Sequence, residues 1–192
     1  MAQVQSKPAG AWTYDDLFSL PENKRYEIIE GALYEMPSPS WNHMVIITNL
    51  MLMLGPLVRT LGGQIGGTPV DVFFAGADPV EPDLLVILPG SRAVGGGRGV
   101  QGPPDLLIEV LSPSNRGHDL LTKRALYGRA GVREYWIVDP AQKSVEVLTL
   151  EADALHSTQF VAGDGSLSSP VLDGVTFALS EIFAGIADAG DE

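Results

Sequence analysis

Two carboxylates at matching places in a repeated sequence are the first residues of this chain that could do chemistry. Asp83 lies in the run Pro-Asp-Leu-Leu-Val-Ile at 82–87, and Glu109 lies in the similar run Pro-Asp-Leu-Leu-Ile-Glu-Val at 104–110. Apolar runs of this length, bounded by Pro and Gly, predict buried β-strands. If the Gly-rich linker between them folds symmetrically about Gly96, the strands are antiparallel neighbours and Asp83 lies opposite Glu109.

Such a pair of acids needs a compensating charge. Side chains directly opposite each other in an antiparallel pair have Cβ atoms roughly 4.5–5.5 Å apart. Two carboxylates at that separation in an apolar sheet repel each other and lose hydration. A divalent cation is the usual compensation in proteins, so Asp83 and Glu109 are the expected ligands of Mg²⁺ or Mn²⁺.

An amine is expected beside these acids. A helix over 116–130 has an apolar stripe made of Leu120, Leu126, Tyr127 and Ala130, and Lys123 projects from the middle of it. Burying an unpaired ammonium group costs several kcal/mol; the alternative is a lysine whose stem packs while its head reaches water. An ammonium group beside two carboxylates and a metal suits phosphodiester hydrolysis, because it can orient the attacking water or neutralise developing charge.

Four other residues are weaker candidates. Glu27 lies in an apolar hairpin strand and His43 lies near the start of a buried helix, so both are expected as accessory residues. Arg116 and Arg124 are candidates for binding the substrate. Asp105, at the loop end of its strand, is expected to punctuate the strand start rather than join the site.

Composition limits the class of partner. The net charge of −12 argues against a general polyanion binder, yet residues 92–133 contain seven of the twelve basic residues and three of the acidic ones. This local basic stretch could meet phosphates, or it could be solvated surface charge. The chain has no cysteine, which excludes disulfides and thiolate chemistry.

The sequence also bears on location. No apolar stretch follows Lys7, and the most apolar run, Met44–Val58, is shorter than the roughly 20 residues that span a bilayer. We therefore expect a cytoplasmic protein without a membrane segment.

The elements that position the candidates predict a mixed α/β sheet with flanking helices. Residues 1–12 are expected to be a disordered leader, 13–186 one domain and 187–192 an acidic tail. The helix at 116–130 links strands 104–111 and 134–138 and predicts a right-handed parallel crossover. The glycines at 95–99 predict a mobile hairpin loop and lack the Gly-Lys-Ser/Thr of a phosphate-binding loop. The remaining predictions are helices at 13–20 and from Ser40 to about 54 or 61, a hairpin at 25–36, strands at 69–74, 144–150, 159–162 and 175–178, and a helical turn at 180–184.

Several motifs together resemble a large bacterial family of restriction-endonuclease-like proteins in the PD-(D/E)XK nuclease superfamily. The most specific block is 104–140, and the likeness extends over about 13–150. The matching residues are Arg25-Tyr26-Glu27-Ile28-Ile29-Glu30-Gly31, Pro39-Ser40 with His43, Glu81-Pro82-Asp83, Pro104 to Ser114, Asp119, Lys123, Tyr127 and Gly131 to Pro140.

This resemblance implies a restriction-endonuclease-like core and a divalent metal, usually Mg²⁺, held by an Asp and a Glu. The matching positions here are Asp83 and Glu109. The family motif places its lysine two residues after the acid, where this chain has Leu111. In related branches the lysine moves to the next helix, and Lys123 stands there.

The resulting hypothesis is a Mg²⁺-dependent DNA endonuclease with Asp83, Glu109 and Lys123 as catalytic residues. Nucleases that cut both strands often act in pairs, so a homodimer is one expectation, although the sequence leaves the oligomeric state open. Two alternatives remain: a non-catalytic binding or regulatory protein that keeps the fold, and a hydrolase of another phosphate ester.

Overall fold

The computed structural model describes residues 11–21, 24–29, 31–36, 38–112 and 118–187. The predicted leader up to residue 10 and tail from residue 188 lie outside the described residues. The helices are α1 (Tyr14–Leu17), α2 (Trp41–Thr60), α3 (His118–Ala130) and α4 (Leu179–Ile182). The strands are β1 (Arg25–Ile29), β2 (Ala32–Met36), β3 (Gln64–Gly67), β4 (Val72–Phe73), β5 (Leu84–Ile87), β6 (Val94–Gly96), β7 (Gly99–Gln101), β8 (Leu106–Val110), β9 (Glu134–Asp139), β10 (Ser144–Glu151), β11 (Ala154–Ala162), β12 (Ser166–Ser169) and β13 (Val175–Ala178).

A six-stranded mixed sheet in the order β11-β10-β9-β8-β5-β3 carries the core. β5 and β8 are antiparallel neighbours, and β8 and β9 are parallel with α3 as their crossover. The predicted mixed α/β class is therefore confirmed. The sequence did not anticipate β3 or β12, and β4 is shorter than the strand predicted at 69–74.

Each face of the sheet has its own apolar cluster. On one face α2 packs through residues such as Ile46 and Leu50 against Leu84 and Ile108. On the other face Leu107 and its neighbours pack against α3 and the small sheet formed by β4, β7 and β6. Alternation along β8 places Glu109 on the same face as Leu107, towards α3.

The glycine-rich segment forms a hairpin, as predicted, but most of its residues are paired strands of a separate sheet. Gly95 and Gly96 belong to β6 and Gly99 belongs to β7, so the segment is a hairpin of the three-stranded sheet. Its register pairs Gly96 with Gly99, so this hairpin is not centred on Gly96. The outer pair β5–β8 nevertheless has the predicted register, Leu84 opposite Ile108.

The buried helix α2 ends at Thr60, close to the longer of the two predicted ends. With 20 residues it is long and apolar enough, by length and composition alone, to cross a membrane. Core helices of soluble proteins pass the same test, and α2 buries one face, including Leu50 and Leu54, against the sheet. This helix alone is therefore weak support for a membrane segment.

α2 and α3 have the ends that their sequences predict. The Ser40 side chain accepts a hydrogen bond from the His43 N–H at 3.3 Å and so caps the start of α2. Gly131, with φ of 88°, ends α3, and its N–H donates to Tyr127 O at 3.0 Å. These caps fix the helix ends that lie next to the candidate site and to β9.

Candidate functional site

The two acids meet at one end of the β5–β8 pair. Asp83 directly precedes β5, and the register of Leu84 opposite Ile108 continues to Asp83 opposite Glu109. Asp83 Oδ2 accepts a hydrogen bond from the Val110 N–H at 2.8 Å, which ties its carboxylate to the backbone beside Glu109. The neighbourhood predicted from the repeated Pro-Asp segments is therefore present.

Lys123 points into this neighbourhood from α3. Its side chain lies on the buried face of the helix with Leu126 and Tyr127, and the residue is only 3% exposed. Its Nζ lies 3.1 Å from Glu109 Oε1 and donates a hydrogen bond to it. The structure therefore has a buried lysine paired with an acid, and not one whose head reaches water.

Glu27 also contacts the lysine. The β1–β2 hairpin carries this residue, which is 5% exposed. Lys123 Nζ lies 3.2 Å from Glu27 Oε2, and Glu27 Oε1 accepts the Glu81 N–H at 3.3 Å. One ammonium group thus bridges carboxylates from two separate sheets.

His43 approaches from the first turn of α2. Its Nε2 lies 3.2 Å from Asp83 Oδ1, and the two side chains are 11% and 15% exposed. Its buried Nδ1 has no hydrogen-bond partner within the described part of the chain. The geometry makes His43 a neighbour of Asp83 that can orient this carboxylate.

Tyr127 is a site residue to which the sequence assigned no role beyond the apolar stripe and the match to the family. Its hydroxyl donates to Glu109 Oε1 at 2.7 Å. Burial, together with the charge of Glu109, holds the pKa of this phenol well above its usual range, so it acts as a donor. Its spacing of four residues from Lys123 was the available signal, since such residues share a helix face.

The electrostatics of the cluster are unbalanced towards negative charge. Burial raises the pKa of Glu109 from 4.5 to about 8, against the opposing effect of Lys123. The carboxylates of Asp83 and Glu27 act in the same direction as burial and contribute to this raised pKa. Three acids around one lysine leave an excess of negative charge, which a bound cation would relieve.

The donor set fits a Mg²⁺ ion that keeps some of its water. Mg²⁺ is commonly bound by one or two carboxylates, with waters and substrate phosphate oxygens completing its shell. Asp83 and Glu109 supply hard carboxylate oxygens from neighbouring strands. Among the residues that the structure describes, no group of three or more His, Asp or Glu side chains is arranged to hold a metal without such help.

Three other candidates lie apart from the cluster or outside the described chain. Asp105 accepts the Leu88 N–H at 2.8 Å through Oδ2 and pairs with Arg133 at 3.0 Å through Oδ1. Arg124 Nε donates to Leu155 O at 2.9 Å and so ties α3 to the edge strand β11. Arg116 lies outside the described residues.

Comparison with known proteins agrees with this fold and covers most of the chain. The sequence model of the Uma2 family, described as a putative restriction endonuclease, matches residues 13–180. A solved structure from Anabaena variabilis ATCC 29413, described as a putative nuclease belonging to DUF820, is similar with a TM-score of 0.71. The two sequences are 19% identical over 90% of this chain and 97% of the other, a likeness that concerns the fold. A comparison with curated proteins found no match.

Proposed function

The chain belongs to the Uma2 family of putative restriction endonucleases, and we propose that it is a metal-dependent endonuclease that hydrolyses phosphodiester bonds of DNA. Asp83 and Glu109 bind the metal in this proposal. The Lys123 ammonium group acts on the attacking water or on the phosphate. His43, Glu27 and Tyr127 hold these three in place. DNA is the proposed substrate because the family description names a restriction endonuclease.

One observation carries the proposal: the Lys123 amine lies 3.1 Å from the Glu109 carboxylate, beside the strand end where Asp83 stands. Three segments far apart in sequence must fold together to bring these groups into contact. A purely structural ion pair would not require the third acid, Glu27, whose burial adds negative charge.

The chemistry divides between the metal and the side chains. Mg²⁺ held by Asp83 and Glu109 would polarise the phosphate and lower the pKa of a bound water. Lys123 Nζ donates a hydrogen bond to Glu109 and forms an ion pair with Glu27. In this proposal the positive charge of Lys123 stabilises the negative charge that develops on the phosphate.

Tyr127 and His43 act through the acids. The phenol donates to the same Glu109 oxygen as Lys123, which fixes the carboxylate direction. His43 lies against one Asp83 oxygen while the Val110 N–H binds the other. Both acids are therefore oriented before any ligand arrives, which lowers the cost of assembling the site.

Incubation of purified protein with supercoiled plasmid tests this function. We expect nicked and linear products with Mg²⁺ or Mn²⁺, none with EDTA, and none from Glu109→Gln under either metal. Uncleaved plasmid with wild-type protein in both metals would contradict the proposal and favour a binding protein. Hydrolysis of a small phosphodiester, bis(p-nitrophenyl) phosphate, without plasmid cleavage would contradict DNA as the substrate.

A further inference from the structure

A cavity of about 550 Å³ lies directly beside the cluster, between α1, the start of β1 and the segments that precede β4 and β5. Its volume is within the range of small-molecule binding pockets and exceeds what a single water or ion needs. The lining residues that bear on its ligand are Tyr14, Phe18, Tyr26, Glu27, Asp71 and Glu81.

Glu27 connects the cavity to the candidate site. Glu27 is one of the residues that line the cavity, and its Oε2 lies 3.2 Å from Lys123 Nζ. A molecule in the cavity would therefore lie one side chain away from the proposed hydrolytic groups. This contiguity favours a part of the substrate over an unrelated ligand.

The cavity has a fixed aromatic wall. The Tyr14 ring is packed edge-to-face between Phe18 and Phe73, with ring centres 5.4 Å and 5.7 Å away. Its hydroxyl donates to Asp71 Oδ2 at 2.6 Å. Phe18 is 76% exposed, so a large apolar ring at the rim faces water. Exposed aromatic rings in nucleic-acid-binding proteins commonly stack on bases.

The polar groups select the kind of ligand. Asp71, Glu27 and Glu81 offer carboxylate oxygens, which accept hydrogen bonds and repel phosphate. The hydrogen bond to Asp71 raises the pKa of Tyr14 to about 12, so the phenol stays protonated and keeps its donor on Asp71. A lysine, Lys24, also lines the cavity, but its ammonium group is paired with Glu35 at 2.7 Å. A flat, uncharged group with N–H donors therefore fits this wall better than a phosphate or sulfate.

We propose that this cavity holds an unstacked nucleobase of the nucleic-acid substrate, next to the phosphodiester to be cleaved. Bases with exocyclic amino groups, such as cytosine, are preferred over thymine because the lining acids accept N–H bonds. The inference rests on the proposed function and narrows it, since the favoured substrate has an unpaired or extruded base at the cleavage position.

Binding in EDTA tests the cavity without any cleavage. Fluorescence anisotropy is used to compare labelled duplexes that carry one bulged cytosine, one bulged thymine or one bulged abasic residue. We expect the cytosine duplex to bind about tenfold more tightly than the abasic duplex, a ratio typical of one stacked base. Equal affinities, including no measurable binding of either, would overturn the proposal.

Three variants locate the effect. Phe18→Ala should remove the tenfold ratio, while Phe160→Ala should keep it, because Phe160 is equally bulky and 65% exposed but lies on β11. Asp71→Asn should reduce the preference for cytosine over thymine, since an amide also donates hydrogen bonds. A ratio that survives Phe18→Ala would place the base elsewhere and overturn the proposal.

The outcomes separate this inference from the proposed function. Discrimination that depends on Phe18, in a protein that leaves plasmid intact, supports the base pocket and contradicts the nuclease. Plasmid cleavage without base discrimination supports the nuclease and contradicts the pocket. Competition by L-argininamide but not by cytidine would also overturn the inference, because aromatic rings with carboxylates can hold a cation instead.

Discussion

The two Pro-Asp-Leu-Leu segments place their acids at opposite ends of one antiparallel strand pair. Asp83 Oδ2 accepts the Val110 N–H at 2.8 Å, and Asp105 Oδ2 accepts the Leu88 N–H at 2.8 Å. Each aspartate thus closes its end of the β5–β8 pair with the same bond. The local sequence and the local hydrogen bond are the same at both ends.

The surroundings of the two acids differ. The strand register places Glu109 opposite Asp83, whereas it places the apolar Ile87 opposite Asp105. The second oxygen of Asp105 pairs with Arg133, whose side chain is 58% exposed, so its charge is balanced at the surface.

At the other end, the strand register places a second carboxylate, Glu109, beside Asp83. The segments that meet there, β1 and the helices α2 and α3, contribute Glu27, His43 and Lys123. The comparison teaches that the Pro-Asp motif supplies a strand-end cap at both places, and that the elements packed around one end convert it into a candidate catalytic site.

The largest contrast is expected in nuclease activity. Asp83→Asn should lower the rate of plasmid cleavage on the order of a thousandfold, because it removes a charged ligand from the proposed metal site. Asp105→Asn should stay within about threefold of wild type, since the hydrogen bonds of Asp105 go to Leu88, at the end of β5, and to Arg133. Initial rates of supercoiled plasmid loss measure both effects. Equal falls in cleavage rate for the two variants would show that the two ends do not differ in function.

Stability should also separate the two ends. Lys123→Met leaves Glu27 and Glu109 buried without their shared cation, which should lower the free energy of unfolding by about 3–5 kcal/mol. Arg133→Met removes a pair that is largely exposed on one side and should cost below about 1 kcal/mol. Urea denaturation followed by circular dichroism gives both values. Equal free energies of unfolding for the two variants would show that Glu27 and Glu109 do not depend on the charge of Lys123.

A smaller effect is expected from Tyr127→Phe. The change removes one hydrogen bond to a carboxyl group, and such bonds contribute roughly 1.5–3 kcal/mol. We expect about a tenfold fall in cleavage rate with nearly unchanged DNA affinity, because Glu109 loses its fixed direction while the groups that contact substrate remain. A rate unchanged from wild type would make the phenol a packing residue only.

The smallest effect is expected in the pH dependence of the free energy of unfolding. The folded-state pKa of Glu109 is about 8, above the ordinary value of 4.5, so the folded protein binds the extra proton between these values. The contribution of Glu109 to the free energy of unfolding should therefore be complete below about pH 4.5. It should fall as the pH rises towards 8, by at most about 1.4 kcal/mol per pH unit.

The two ends provide the control for this pH test. Glu109→Gln should reduce the slope of stability against pH, whereas Asp105→Asn should leave this slope as it is in the wild type. Glu134, whose pKa burial also raises, leaves a residual slope of the same sign in every variant. Equal slopes in wild type and Glu109→Gln, from urea denaturation across this pH range, would assign the titration to another group.

The features that follow from local pattern were predictable from the sequence. The apolar runs gave β5 and β8, and the period of α3 placed Lys123 on its buried face. The register of Asp83 opposite Glu109 was correct even though the assumed fold of the connecting glycines was wrong. The alternation of side chains and the identical strand-end caps fix this register independently of the loop.

The features that depend on packing between distant segments were not predictable. Glu27 was expected as an accessory residue, but its contact with Lys123 was not, because that contact requires the hairpin to dock on the sheet. The cavity beside Glu27 has the same origin, since α1, β1 and the segment before β4 each contribute a wall. Tyr127 was overlooked because a tyrosine in an apolar stripe normally indicates core packing.

The most direct test of the account is the position of a divalent cation. Crystals of the protein grown with Mn²⁺ would be examined by anomalous diffraction, which locates the ion without assumptions about ligands. We predict a peak within coordination distance of carboxylate oxygens from both Asp83 and Glu109, and none at Asp105. A peak at Asp105, or full Mn²⁺ occupancy elsewhere with Asp83 and Glu109 free of metal, would contradict the account.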